Sequence, residues 1–508
     1  MFDIISMAAG YLFLFYIGYF LWQGLVYIYH ERADRRPRDR NPRLRRAKLA
    51  QRYAVALTHT LGFTVISLSS GLTGGGADYQ TLIAGGVSLV FLIAAFALFD
   101  LAYRGGCPLM VNGALFLTDI GFIMLYRLNR DLAARQMLFA GAGVAVTLLI
   151  PFALTIIRRV ERLKYLYLLA GIGLLSLPFF LGAKQYGARS WIIIERIGMS
   201  FQPSEFVKVA FVMYAAAALQ KSPGPIRALP HCAAAAAFVA ILALQNDFGG
   251  ALIYFITFMV MLYAATGSLT LFALGFGGAS GAVWAIFTFA PSVAAHVLGR
   301  VSAWIDPWAD PADAGYQLTQ SLFALGTWGL FGSGLTRGVP NKIPVVERDM
   351  IFSGIAEEFG PLFACAVVAI YIMIVYRAAN AALRTREPFR ALTAVGLSSL
   401  LALQTFVTIG GATRLIPLTG ITLPFVSYGG SSIFVCFIMI GILDWIRLSD
   451  GERDRAAAEA AISAQPEISG DSSDSVKGDS RLKPRESVKE ATGYDGENTD
   501  RESESGET

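Results

Sequence analysis

The chain has 508 residues, of which 55% are hydrophobic and only 16% charged, and it carries a formal net charge of +5. With a mean hydropathy of +0.53, it is too apolar for a soluble multidomain protein and is read as a polytopic membrane protein. The positive excess does not point to nucleic acid, because the basic residues cluster in a few loops where they encode orientation. Four cysteines (Cys107, Cys232, Cys365, Cys436) lie in or beside apolar runs without metal-ligand spacing, and four histidines (His30, His59, His231, His296) are scattered. Neither a disulfide framework nor a zinc or His-based triad site is expected.

Apolar runs long enough to cross a hydrocarbon core of about 30 Å as helices fall near 7–29, 53–71, 81–102, 108–126, 136–157, 164–182, 203–219, 229–247, 249–266, 270–292, 353–376, 389–410 and 429–447. The chain is therefore predicted to be an all-α bundle of about thirteen transmembrane helices. No basic stretch precedes the first run, so it reads as a retained anchor, not a cleaved signal. The segment from Glu31 to Arg52 holds about ten Lys and Arg and is assigned to the cytoplasm by the positive-inside rule. Counting from it places Arg158, Arg159, Arg162 and Lys164 inside, then Lys221 and Arg227, then Arg377, Arg384, Arg386 and Arg390, and finally the C-terminus. One wrong helix would have inverted half of these. The same count turns the loops 183–202, 245–250, 293–352 and 411–428 outward. From about Gly451 the composition becomes Ser, Gly, Asp, Glu, Lys and Arg, which predicts a disordered tail over 451–508.

Every unusual polar motif falls on the outward side. Gly187-Ala-Arg189-Ser-Trp191 precedes Phe201-Gln-Pro-Ser204-Glu205-Phe-Val-Lys208, where Ser204 opens a helix and Glu205 and Lys208 share a face at i, i+3. A charge pair inside a membrane helix is a functional candidate, with a helix-locking pair as the plain alternative. At Gln245-Asn-Asp247-Phe-Gly249-Gly250, Asp247 reads equally as a helix cap and as a site residue. The interval from Arg300 to Gly360 collects Asp306, Asp310, Asp313, Arg337, Lys342, Arg348, Asp349, Glu357 and Glu358 together with Trp304, Trp308, Tyr316, Phe323, Trp328 and Phe331. A connection of that length is functional or disordered, and the aromatics argue for a folded cap over a site. Asp-Pro pairs are ordinary turn formers, so the accumulation of acids beside cations carries the signal. Finally, Thr413–Ser432, with Pro417, Pro424, Gly420, Gly429 and Gly430, predicts a non-helical or re-entrant stretch, tolerated only where it is buried in protein or lines a cavity.

In this order the four motifs resemble the SEDS family (shape, elongation, division and sporulation; FtsW, RodA, SpoVE), over roughly residues 108–448. The resemblance implies a ten-helix core at 108–450 that polymerises lipid II into peptidoglycan glycan strands. It implies work beside a class B penicillin-binding protein, the transpeptidase, in the bacterial cytoplasmic membrane, with the active site outward. The three helices of 1–107 then form an extension read as a docking or regulatory module, or as added stability. In such a reaction a sugar 4-hydroxyl attacks the anomeric carbon and undecaprenyl diphosphate leaves, so a carboxylate must take a proton or hold a divalent cation (Mg or Mn), and positive charge must meet the diphosphate. The resemblance places the essential acid at Asp310. Arg189, Lys208, Arg300, Lys342 and Arg348 are candidates for diphosphate and sugar contacts, Trp191 for packing on substrate, and Asp306, Glu205, Asp349, Glu357, Glu358 and Ser427 for support. A lipid II flippase, which would not need the acid-rich loop, and a non-catalytic scaffold are the rival classes.

Overall fold

A computed structural model describes residues 2–33, 41–74, 78–103, 106–157, 159–185, 188–194, 199–221, 224–289 and 291–463. Arg158, Gly187 and the tail beyond 463 lie outside the described residues. Three helices come first, α1 (Phe2–Ala33), α2 (Pro42–Gly74) and α3 (Tyr79–Ala102), followed by α4 (Pro108–Leu128), α5 (Arg130–Ile156) and α6 (Lys164–Leu181). After a small sheet come α7 (Pro203–Leu219), α8 (Pro225–Leu244), α9 (Phe248–Thr266) and α10 (Leu269–Phe289). The long loop contains α11 (Pro291–Ile305), α12 (Tyr316–Gly326) and α13 (Ile351–Phe359), and the chain closes with α14 (Pro361–Arg384), α15 (Pro388–Ala412) and α16 (Gly430–Ser463). Proline opens α4, α7, α8, α14 and α15, where a missing N–H is no loss. Gly267 ends α9 in the left-handed region at φ +63°, as C-terminal glycines do.

All thirteen predicted runs are helical, and twelve described helices are long and apolar enough to span a membrane. The thirteenth run is α7, which is 17 residues long and contains Glu205 and Lys208. It packs against α6, α9 and α15 and is buried on nearly every face, so its charges meet protein instead of lipid.

Two predictions are corrected and one element is added. The run 353–376 is two helices, because Gly360 at φ +92° breaks it between α13 and α14. The loop before α7, for which no regular structure was predicted, holds a small three-stranded antiparallel sheet, β1 (Ala183–Gln185), β2 (Ala188–Ile194) and β3 (Met199–Phe201), in that order. The tail does not lose structure at 451, since α16 runs on through an Ala- and Glu-rich stretch to Ser463, a composition of high helix propensity. The contacts divide the chain into units 1–456 and 457–508, and of the second only the helical residues to Ser463 are described.

The N-terminal helices are packed into the first unit without a seam at 107. Close contact comes from three of the glycines: a Cβ at Gly24 would lie 2.7 Å from Met373 Sδ, one at Gly62 2.8 Å from Ile123, and one at Gly85 2.8 Å from Phe63, whereas Gly18 and Gly86 face open space. Ionic clamps add to this. Glu31 of α1 accepts from Arg377 of α14 at 2.6 and 3.1 Å and from Arg447 of α16 at 2.7 Å, all three side chains being less than 10% exposed. Arg52 of α2 donates to Asp100 of α3 at 2.8 Å through both terminal nitrogens and to Asn112 of α4. His59 of α2 meets Asp119 of α4 at 2.5 Å within the bundle.

Removing one member of a buried ion pair leaves a charge uncompensated and costs about 3–5 kcal/mol. Glu31→Gln should therefore lower the unfolding midpoint in detergent far more than Asp100→Asn, whose carboxylate is 41% exposed and whose pair contributes about 1 kcal/mol or less. Equal shifts would refute the clamp.

Candidate active site

A cavity of about 600 Å³ opens at the end of the bundle where α7 and α9 begin, within the size range of small-molecule sites. Its floor is the first turn of α7. Lys208 donates to Glu205 Oε1 at 2.6 Å and to Gln404 Oε1 at 3.0 Å, and Gln404 donates onward to the Thr422 carbonyl at 2.9 Å. The i, i+3 spacing sets Glu205 and Lys208 on one helix face, and both are almost fully buried. Beside them Asp247 caps α9, accepting from Gly250 N–H at 2.9 Å. Burial raises its carboxyl above the ordinary range, opposed by that hydrogen bond and by Lys208 and Arg300.

One wall is the irregular stretch 413–429, which has no helix or strand; the non-helical span predicted to Ser432 ends three residues earlier, because α16 begins at Gly430. Its backbone is satisfied by neighbouring side chains. Trp304 Nε1 donates to the Arg414 carbonyl and Arg414 Nε returns a bond to the Trp304 carbonyl, both at 3.0 Å. Gln136 donates to the Ser427 carbonyl at 2.9 Å and accepts from Gly429 N–H at 3.1 Å. Tyr371 donates to the Pro424 carbonyl. Such backbone is admitted at membrane depth only on these terms.

Against this wall lie Arg348 and Asp349, which also line the cavity. The Arg348 guanidinium lies 5.6 Å from the Trp191 ring and 5.8 Å from that of Tyr428, a doubled cation–π contact. The neighbouring Tyr428 N–H donates to the Glu347 carbonyl at 2.7 Å, and Ser427 Oγ donates to the Arg348 carbonyl. Asp349 lines the same cavity with Oδ1 buried and without a hydrogen-bond partner. Burial lifts its carboxyl to about 6, against its own backbone hydrogen bond and the pull of Arg300 and Arg348. Arg300 reaches across from α11 and donates to the Thr419 carbonyl at 3.1 Å.

Six of the predicted residues thus converge on the cavity: Trp191, Glu205, Lys208, Arg300, Arg348 and Asp349. The others stand elsewhere. Ser427 belongs to the irregular wall without lining the cavity, bound to the Leu423 N–H and the Arg348 carbonyl. Asp306 and Asp310 are exposed turn residues, Asp306 accepting from Trp308 N–H at 3.1 Å and Asp310 from Asp313 N–H at 3.3 Å and Ala314 N–H at 3.4 Å. Ala314 itself lines the cavity, so Asp310 belongs to the turn that forms its rim. Arg189 is exposed and donates to the Gly182 carbonyl at 3.3 Å, and Lys342 is exposed on a single 3₁₀ turn. Glu357 and Glu358 shape the loop: Glu357 accepts from Val339 N–H at 2.7 Å, and Glu358 lies 3.3 Å from Arg127 Nε, at ion-pair distance without hydrogen-bond alignment. Full burial raises Glu358 to about 7. Asp247 proves to be both cap and cavity residue, and Gln404 was missed, although a lone amide in an apolar span was its signal. Among the described residues no three His, Cys, Asp or Glu gather as a metal site.

A multi-pass helical bundle with an ionic, aromatic-lined cavity at its end, beside a folded loop, defines a polytopic membrane protein with a candidate active site between its helices. Residues 107–451 match the FtsW/RodA/SpoVE family, described as cell cycle proteins, and the chain belongs to that family. It is 35% identical to the peptidoglycan glycosyltransferase RodA of Mycobacterium tuberculosis, covering 68% of this chain and 78% of that one. It is 34% identical to a probable peptidoglycan glycosyltransferase FtsW of Geobacter sp., covering 68% and 96%. Among solved structures, a chain from a peptidoglycan synthase complex that coordinates polymerization and crosslinking superposes with a TM-score of 0.58 at 26% identity, covering 67% of this chain and 97% of that chain.

Because the Asp349 carboxyl titrates near 6 in the fold and near 3.9 unfolded, the native state binds more protons between those values, and its contribution to stability falls as pH rises through that window. Asp349→Asn removes this component. The variant's melting temperature should exceed the wild type's at pH 7.5, and the gap should close towards pH 4; a gap independent of pH would refute the assignment.

Proposed function

We propose that this peptidoglycan glycosyltransferase joins lipid II units into glycan strands in the described cavity, on the outer face of the bacterial cytoplasmic membrane, during cell elongation or division. The observation that carries the reading is the convergence of Lys208, Arg300 and Arg348 with Trp191 in one cavity beneath the turn of Asp310. An anionic diphosphate headed into that space meets the guanidinium groups of Arg300 and Arg348, with the Lys208 ammonium paired to Glu205 beside them. The acceptor's 4-hydroxyl attacks the anomeric carbon of the donor, the carbon–oxygen bond to the diphosphate breaks, and the hydroxyl proton passes to a carboxylate. Asp310 is assigned that general-base role at the rim, and the cations stabilise the departing undecaprenyl diphosphate, which gathers charge in the transition state. Trp191, held against Arg348, offers its ring to the sugar.

The chain's carboxylates do not form a cage for a divalent ion among the described residues. They fit Mg or Mn held mainly by the substrate's diphosphate with one carboxylate, Asp310 or Asp349, the usual Mg pattern, and such an ion would add charge stabilisation. A class B penicillin-binding protein is proposed as the crosslinking partner, supported by the complex from which the solved relative comes. The outward assignment rests on the placing of Lys and Arg.

With purified protein and lipid II, Asp310→Ala should reduce strand formation by about 10²-fold or more, the usual contribution of a positioned base, while Asp306→Ala stays within a few-fold of wild type. The opposite result would identify the wrong carboxylate, and unaffected polymerisation in Arg348→Ala would remove the cavity from the reaction. For the topology, a cysteine replacing Ala312 should react with an impermeant thiol reagent on intact cells and one replacing Arg46, also exposed, should not. Labelling of Arg46→Cys alone would invert the bundle and with it the face of the site.

A further inference from the structure

Among the described residues none before Ser190 lines the cavity, yet α1 is built against the segment that delivers Arg348 and Asp349 to it. We propose that α1 is a positioning element of the active site: its N-terminal half holds the loop 331–350, which carries Arg348 and Asp349 into the cavity. The inference rests on the cavity being the polymerase site.

The contact is specific. Gly334, at φ +90°, presses its backbone against α1: a Cβ there would lie 2.3 Å from Ser6 Oγ and 3.5 Å from Ser6 Cβ, so only glycine fits. Ser6 Oγ faces the Leu335 carbonyl at 3.5 Å. One turn further along, the Tyr11 ring meets Phe331 at 5.1 Å, and Phe13 wedges edge-on against Phe359 at 4.9 Å and Phe363 at 6.5 Å. The loop thus lies between α1 and α13, to which Ser333 and Gly334 donate their N–H groups at the Glu357 and Glu358 carbonyls, at 2.8 and 3.0 Å. Its far end is the Glu347–Asp349 segment pinned to Tyr428 and Ser427. α1 cannot slide to follow a drifting loop, because Glu31 at its other end is fixed by Arg377 and Arg447. Displacements of about 1 Å at a positioned group cost on the order of 10²-fold in rate, so a support without any chemistry of its own suffices to matter.

The test uses full-length protein polymerising lipid II. Ser6→Ala with Tyr11→Ala, both at the opposite end of α1 from the Glu31 clamp, should lower kcat/KM about tenfold or more with KM raised and the pH–rate profile displaced. Tyr11→Phe, which keeps the ring against Phe331, should behave as wild type. A purely structural support would lower the folded yield while KM and the pH profile of the folded fraction stay at wild-type values, and that result overturns the proposal. A second measurement reads the same contact from the loop side. Gly334→Ala, whose Cβ would lie 2.3 Å from Ser6 Oγ, should raise KM in the folded fraction. A folded Gly334→Ala enzyme with a wild-type KM refutes the contact as the working one. Failure of the cavity reading is separable: it leaves Arg348→Ala fully active, whereas failure of the α1 proposal leaves Arg348→Ala inactive and the Ser6 and Tyr11 variants unaffected.

Discussion

The ammonium of Lys208 is the group on which the cavity depends. Taken into a helix buried on nearly every face, a charge must be met by acceptors at hydrogen-bond distance or it destabilises the bundle. Glu205 neutralises it from the preceding turn, and Gln404 supplies a second acceptor from α15. Gln404 is then left with its own amide hydrogens, which go to the Thr422 carbonyl at 2.9 Å and towards Ser432 Oγ at 3.4 Å. One buried charge therefore fixes α7, α15, the irregular wall and the start of α16 in a common frame, which is why the pair is more than a helix lock.

The irregular wall shows the same constraint from the side of the backbone. Arg414 at φ +61° and Phe425 at φ +67° are held in a region that costs a non-glycine residue of order 1–3 kcal/mol. They persist because their surroundings over-determine them: Trp304, Gln136, Tyr371 and Gln404 reach in from four helices to occupy the carbonyls or amides of the stretch. What this rigidity gains is a fixed Arg348, held between the Trp191 and Tyr428 rings. Cations set in place before the substrate arrives stabilise a leaving diphosphate without reorganising at the moment of reaction.

The helices were legible because apolar runs of membrane length admit one structure in lipid, and the Glu205–Lys208 pair was legible because its spacing is helical. The break at Gly360 was not, since hydropathy continues across it; the Gly360-Pro361 pair was the local signal, a positive-φ residue followed by a helix-opening proline. The sheet at 183–201 was hidden by its short strands, two of three residues each. Within the site, sequence alone could not separate carboxylates that fold into turns from those that fold into the cavity. Asp306 accepts through one oxygen and Asp310, at the cavity rim, through both, from N–H groups two to four residues ahead in the ordinary Asx pattern, while Asp349 has no such turn to close and its Oδ1 is left buried. That distinction lives in tertiary structure.

Family membership begins at 107 and packing does not. Homology marks where the residues of the reaction start, whereas mechanical continuity is set by what each element rests on, and the loop 331–350 contains only one short 3₁₀ turn of regular structure. A loop of that kind has few internal bonds to define its own shape, so its position must be imposed by rigid neighbours. α13 supplies one side. The other is α1, a helix of 32 residues, about 48 Å at the standard rise, clamped near one end by two buried arginines and meeting the loop near the other. A rod fixed far from its load resists displacement along its whole length, which places the physical boundary of the active site at residue 6 although none of the described residues among the first hundred lines the cavity.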